Sequence, residues 1–173
     1  MKILEIRRHS IRAKPSGHLS QEGVSLARSV GETMKSFSFV ATSMLARAYE
    51  TAIAMGFAVN EQVELMNTYG AEIEARAPWP MPYYHYSVIV KENPVVAKYA
   101  NQLTSYYENI MLKLIDGESA LVVNHGGVVE LGVVACLPNE DFSTWGDEAS
   151  YCEGARLFWD GKFVSGEVLR ISK

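Results

Sequence analysis

The chain has 173 residues, 48% of them hydrophobic and 21% charged, with a net charge of −4. A chain shorter than about 250 residues fits one core, so residues 1–173 read as a single domain that needs no disulfide staple. The composition excludes disorder, collagen and coiled coil, the apolar runs fall short of the ~18 residues of a spanning helix, and the negative charge argues against a nucleic-acid binder.

Residues 2–8 hold Ile3, Leu4 and Ile6 in a short strand-like run, with His9 directly after it. The same N-terminus has no apolar h-region or small-residue cleavage site, so it reads as mature and cytoplasmic. Residues 10–18 carry Pro15, Gly17 and polar groups and form a loop. Ser20 fits an N-cap, with Glu22 in the first turn at the positive end of the helix dipole. Val24, Ala27, Val30 and Met34 then recur at helical spacing as one apolar stripe.

Phe39 to Thr42 reads as a second strand, and Ser43 as the cap of the next helix. Leu45, Ala48, Ala52 and Met55 mark that helix, and Gly56 ends it. Val63 to Met66 is read as a further strand. Residues 77–82 contain three prolines, which remove donors and fix φ, so neither a regular helix nor a central strand fits there. The aromatic stretch from Trp79 to Tyr86 is either a cap packed on the core or a lining of a pocket mouth. Asn93-Pro94 opens a long helix to about Ile115.

Ala120 to Asn124 is apolar on both faces, as in the centre of a parallel sheet. His125-Gly126-Gly127 follows, then an apolar helix from Val128 to about Cys136. Asp160-Gly161 between two apolar runs signals a hairpin. The order predicts a three-layer α/β/α sandwich with a mostly parallel central sheet and a C-terminal antiparallel hairpin. Cys136 and Cys152 lack CxxC spacing and a nearby histidine pair, which argues against structural zinc. Two buried reduced thiols are the expectation, with a disulfide left open.

Ligands of parallel sheets bind beyond the carboxyl ends of the strands. Arg8 and His9 end the first strand, with Arg12 close behind. The second strand leads to Arg47, and Ala120–Asn124 delivers His125 just ahead of a helix N-terminus. If these strands are neighbours, two imidazoles and two or three guanidiniums share one volume. Such a concentration of positive charge calls for an anion, and a tetrahedral phosphate suits arginine forks and helix amides. A neutral imidazole is a nucleophile toward phosphorus, and a carboxylic acid nearby would protonate the leaving group. The sequence offers no obvious metal site, and this chemistry requires neither metal nor cofactor.

Arg8-His9-Ser10, the run from Ser43 to Ala52 with Arg47 inside it, and Asn124-His125-Gly126-Gly127 together resemble the histidine phosphatase superfamily. That group includes cofactor-dependent phosphoglycerate mutases and small phosphohistidine phosphatases. Leu19-Ser20-Gln21-Glu22-Gly23 is similar to the family's entry into its first helix, and the likeness runs from Ile3 to about Leu137. It implies that His9 is the phosphorylated nucleophile and that Arg8 and Arg47 bind phosphate. His125 would be the second catalytic histidine, with Gly126 beside it at the substrate. Ser10 stands where the family usually has Gly. Arg12, followed by Pro15, is reminiscent of the acid-phosphatase branch and reads as either a phosphate ligand or a surface charge. That branch has Asp after the second histidine, where this chain has Gly126. For the proton donor the first choice is Glu72, followed by Glu74 and Glu64, and a phosphoramidate substrate could do without one.

The expectation is therefore a phosphatase acting on a phosphomonoester or phosphoramidate through His9, with a small phosphorylated molecule or a phosphoprotein as substrate. A phosphoglycerate-type mutase and a non-catalytic phospho-ligand binder are the alternatives. Neither nucleic acid nor membrane is expected as a partner, and the oligomeric state stays open.

Overall fold

The computed structural model describes residues 1–171. Six strands form one sheet: β1 (Lys2–Arg8), β2 (Phe39–Ser43), β3 (Glu61–Val63), β4 (Ser119–Asn124), β5 (Gly154–Trp159) and β6 (Phe163–Leu169). Their order is β3-β2-β4-β1-β5-β6. β1, β2, β3 and β4 run parallel, while β5 and β6 join as an antiparallel hairpin with β5 antiparallel to β1.

The helices cover both faces, as the expected sandwich requires. α1 (Gln21–Gly31) and α2 (Ala46–Ala54) lie on one side. There Ala48 and Ala52 of α2 pack against Val40, Leu121 and Val123 of the sheet. α4 (Tyr83–Glu92), α5 (Pro94–Lys113) and α6 (Val128–Cys136) lie on the other, over Leu4, Ile6, Ala120 and Val122. Alternate residues of β4 thus serve two cores, which is why this strand is apolar at every turn of the pleat. α3 (Gly70–Glu74) is a short helix beyond the strand ends.

Local chemistry explains most boundaries. Ser20 accepts the Gly23 N–H to cap α1. The Asn93 side chain accepts the Val95 and Val96 N–H groups at the start of α5, with Pro94 in the first helical position. Cys136 and Cys152 are both buried and free. On β1, Arg7 is ion-paired to Glu5 at 2.9 Å, with both side chains buried, and Arg156 of β5 completes the cluster at 2.7 Å.

Two expectations need correcting, and one helix was not foreseen. The strand read at Val63–Met66 lies earlier, at Glu61–Val63, and Glu64–Met66 is a 3-10 turn that drives Met66 into the core. α5 stops at Lys113, because Leu114 turns extended to bury its side chain while Ile115 stays 70% exposed. The aromatic segment after the prolines does pack on the core, through Tyr83 and Tyr86, and it does so as a ten-residue helix, α4. Tyr83, Tyr86 and Ser87 mark its buried face, a stripe obscured in sequence by aromatic residues on the outer side as well.

Candidate active site

The parallel pairing sets the geometry. Arg8 stands opposite Asn124 in the β1–β4 register, and the His9 N–H donates to the Asn124 carbonyl at 2.9 Å. His9 and His125 therefore leave adjacent strands at the same level, with ring centroids 5.1 Å apart. β2, on the other flank of β4, delivers Ser43, whose Oγ lies 2.7 Å from His125 Nε2.

Ser43 does not cap the following helix as the sequence suggests. α2 begins at Ala46, and its cap residue Leu45 makes no side-chain bond. The Ser43 hydroxyl accepts the Leu45 N–H at 3.3 Å and holds the histidine instead.

Arg47 sits in the first turn of α2, and its Nε donates to His9 Nε2 at 3.2 Å. One turn on, Thr51 Oγ1 donates to the Arg47 carbonyl and accepts the Ser10 N–H at 2.9 Å. These bonds pin α2 to the His9 loop. Ser10 is fully buried and donates its hydroxyl to the Gly23 carbonyl at 2.7 Å, which ties the same loop to α1.

The tautomer of His9 follows from its partners. Nδ1 lies 2.6 Å from the Ser10 carbonyl, an oxygen that can only accept, so Nδ1 carries the proton. Nε2 is then left as a lone pair beneath Arg47. Burial, opposed by the Ser10 bond and reinforced by Arg8, Arg47 and Arg12, lowers the His9 pKa to about 3. Burial, then His9, Arg47 and Arg8, lowers that of His125 to about 2. Both rings are neutral at pH 7. Burial also depresses Arg8, and Arg47 is lowered by burial and by its neighbours Arg12 and Arg8.

A cleft of about 560 Å³ opens above these groups. His9, His125, Arg8, Arg12, Arg47 and Gly126 all line it. Arg12 is brought there by a one-residue bridge to Leu19 that closes its loop. Glu72 is not brought in. It is exposed and pairs with Arg76 one turn along at 3.6 Å. Glu64, exposed in the 3-10 turn, is also off the cleft. α3 turns Glu74 to the cleft, where it is the one lining carboxylate against Arg8, Arg12, Lys14 and Arg47.

Lys14, Thr68, Tyr69 and Tyr151 are among the lining residues that the sequence reading did not single out. Each lies in a loop or at an element end without periodic signal. Trp79 does reach the cleft. The Arg8 guanidinium carbon lies 4.5 Å from the Trp79 ring centroid and 4.2 Å from that of Tyr151. Among the described residues, Arg8 Nε, Trp79 Nε1 and His125 Nδ1 are buried nitrogens without a protein partner. All three belong to cleft residues, and buried polar atoms of this kind call for a ligand or water.

Under the cleft floor lies Glu130, fully buried near the start of α6. Its two oxygens accept the Gly127 N–H at 2.6 Å and the Ala149 N–H at 2.8 Å. It thereby ties the turn after His125 to the loop carrying Tyr151. Burial outweighs these hydrogen bonds and pushes its carboxyl up to about 7.

No family model matches the sequence, and no curated protein matches it. Solved structures do. The chain is similar to YhfR of Bacillus stearothermophilus, with 19% identity, a TM-score of 0.65 and 95% of each chain covered. It is similar to phosphoserine phosphatase from Entamoeba histolytica, with 14% identity, a TM-score of 0.67 and coverage of 96% and 97%. A phosphoglycerate mutase from Bacillus anthracis aligns at 14% identity with a TM-score of 0.60, over 94% of this chain and 90% of that one.

Proposed function

Starting from a chain with the fold of the histidine phosphatase superfamily, we propose a phosphatase that hydrolyses a phosphomonoester or phosphoramidate through a phosphohistidine on His9. The carrying observation is the state of His9: Nδ1 committed to the Ser10 carbonyl, Nε2 unprotonated, and Arg47 Nε 3.2 Å away. A neutral imidazole held this way is a nucleophile aimed where guanidiniums gather phosphoryl oxygens.

The proposed steps balance as follows. Arriving phosphate draws the Arg47 guanidinium from Nε2 to its own oxygens and frees the lone pair. Nε2 forms a bond to phosphorus as the bond to the leaving oxygen or nitrogen breaks, and the leaving atom takes a proton. Arg8, Arg12 and Arg47 stabilise charge on the equatorial oxygens. Water then attacks phosphorus and gives a proton to the carboxylate left by the acid that protonated the leaving atom, the P–N bond breaks, and inorganic phosphate leaves with Nε2 and the acid restored. The steps use no metal and no cofactor. The proton donor is reassigned from Glu72 to Glu74, the carboxylate that lines the cleft.

Likeness to the phosphoserine phosphatase of Entamoeba histolytica favours a small phosphomonoester as substrate, with a phosphoprotein as the other form. Two buried free thiols are in keeping with a reducing, cytoplasmic setting. No helix among the described residues is long and apolar enough to cross a membrane.

The test is release of inorganic phosphate from p-nitrophenyl phosphate and from phosphoserine in the presence of chelator. Wild type should release it, and His9→Asn should lower kcat/KM by at least about 1,000-fold. Exchange of phosphate between the positions of a phosphoglycerate, without net release, would make the chain a mutase. Tight vanadate binding without turnover would make it a binding module.

A further inference from the structure

Among the described residues, both contacts of a cation with an aromatic face belong to Arg8. Trp79 covers one side of the cation at 4.5 Å and Tyr151 lies at 4.2 Å. A guanidinium held by rings can meet an anion only through the edge that carries its N–H groups. On that edge one amino group donates to the Ala149 carbonyl at 3.3 Å, while Nε is buried without a protein partner. The ring faces that touch Arg8 are committed to it and are not open to stack a leaving group.

Each ring is itself held in place. A Cβ on Gly126 would come within 2.4 Å of Trp79 Nε1 and Cε2, so the indole occupies the space that only glycine leaves beside His125. Tyr151 sits in a loop held by two hydrogen bonds and a left-handed turn. Glu130 accepts the Ala149 N–H, the Cys152 N–H donates to the Arg8 carbonyl at 3.1 Å, and Cys152 adopts a left-handed φ of 60°. L side chains seldom adopt the last conformation.

We propose that Trp79 and Tyr151 are positioning residues of the phosphate site, an aromatic clamp that fixes the Arg8 guanidinium where it lines the phosphate cleft. This rests on the phosphatase reading only for the identity of the anion. The clamp also assigns Gly126 its place: it admits the indole.

Calorimetric titration with inorganic phosphate tests the clamp, with circular dichroism confirming that each variant is folded. Tyr151→Leu and Trp79→Leu should each raise Kd about 3- to 30-fold. Tyr151→Phe keeps a ring and should stay within about 2-fold of wild type. Gly126→Ala, which displaces the indole, should behave like Trp79→Leu. In an Arg8→Met background the same ring substitutions should change Kd less than about 2-fold, because the residue they act through is gone. Equal losses with and without Arg8 would overturn the clamp, as would phosphate binding that the leucine variants leave unchanged. Wild type that binds no phosphate overturns the clamp and the phosphatase reading together. Wild type that binds phosphate with the expected ring dependence but releases none from its esters supports the clamp and overturns the phosphatase reading alone.

Discussion

A few side-chain atoms decide what the proposed chemistry can use. Arg47 Nε covers His9 Nε2, and the Ser10 carbonyl takes the ring's other proton. Ser10, in the position where glycine is usual in the family that the sequence resembles, turns its hydroxyl to Gly23 and away from the cleft. The carboxylates differ by the helical turn of α3. Glu72 faces outward to Arg76, whereas Glu74 lines the cleft. Glu74→Gln should therefore lower kcat/KM for phosphoserine about 10- to 100-fold, while p-nitrophenyl phosphate, whose leaving group needs no proton, changes less than about 3-fold. Glu72→Gln should leave both within about 2-fold. Steady-state kinetics on the two substrates check this, and equal sensitivity of both substrates to Glu74→Gln removes it from the acid's role.

At the scale of elements, the short turns fix the site more than the long helices do. α2 is pinned to the His9 loop through Thr51, and the start of α6 is pinned to the 149–152 loop through Glu130. Glu130→Ala would strand two buried N–H groups. An unsatisfied buried donor costs about 1–3 kcal/mol, so the variant should lose about 2–6 kcal/mol overall. For a chain of this size that lowers Tm by roughly 4–24 °C. Phosphate affinity should fall with it, since the loop that Glu130 holds carries Tyr151. An unchanged melting temperature would show that water replaces the carboxylate at no cost.

For the whole molecule, the buried charges make stability depend on pH. His9 and His125 titrate near 3 and 2 when folded but near 6.5 when unfolded. Between these values the unfolded chain binds more protons, so each histidine makes the fold lose stability as pH falls below 6.5. Glu130 acts oppositely: its folded value of about 7 exceeds the ordinary 4.5, so between 7 and 4.5 the native state binds the extra proton and gains as pH falls. The three together leave a net loss of about 1.4 kcal/mol per pH unit from 6.5 to 4.5, steepening below 4.5 where the Glu130 offset ends. Urea unfolding across this range checks the slope. Glu130→Gln should bring the steeper limb up to pH 6.5, and His9→Asn should flatten the profile. A wild-type profile level from 6.5 to 4.5 would mean that only one of the two imidazoles stays uncharged in the fold, and a profile that rises by about 1.4 kcal/mol per unit as pH falls would mean that both titrate as they do in water.

The sequence by itself determined the elements whose signals are local. Ser20 and Asn93 are caps, Asp160-Gly161 is a turn, and the apolar run to Asn124 is a strand with two buried faces. It also determined that Arg8 and His9 stand at the end of one strand, that His125 follows another and that Arg47 lies in the first turn of the helix after a third, because each is fixed by a few neighbours in the chain. Arg12, open between two readings, was placed only by its bridge to Leu19. Tertiary structure alone decided which carboxylate reaches the cleft. It also decided that Ser43 holds a histidine instead of capping a helix, and that Tyr151, a loop residue in a stretch distant from Arg8, packs on its guanidinium. These depend on the register of β1 against β4 and on loops that cross from one strand end to another. Contacts between residues far apart in the chain leave no period or cap to read, because their energy arises only once the sheet has brought them together.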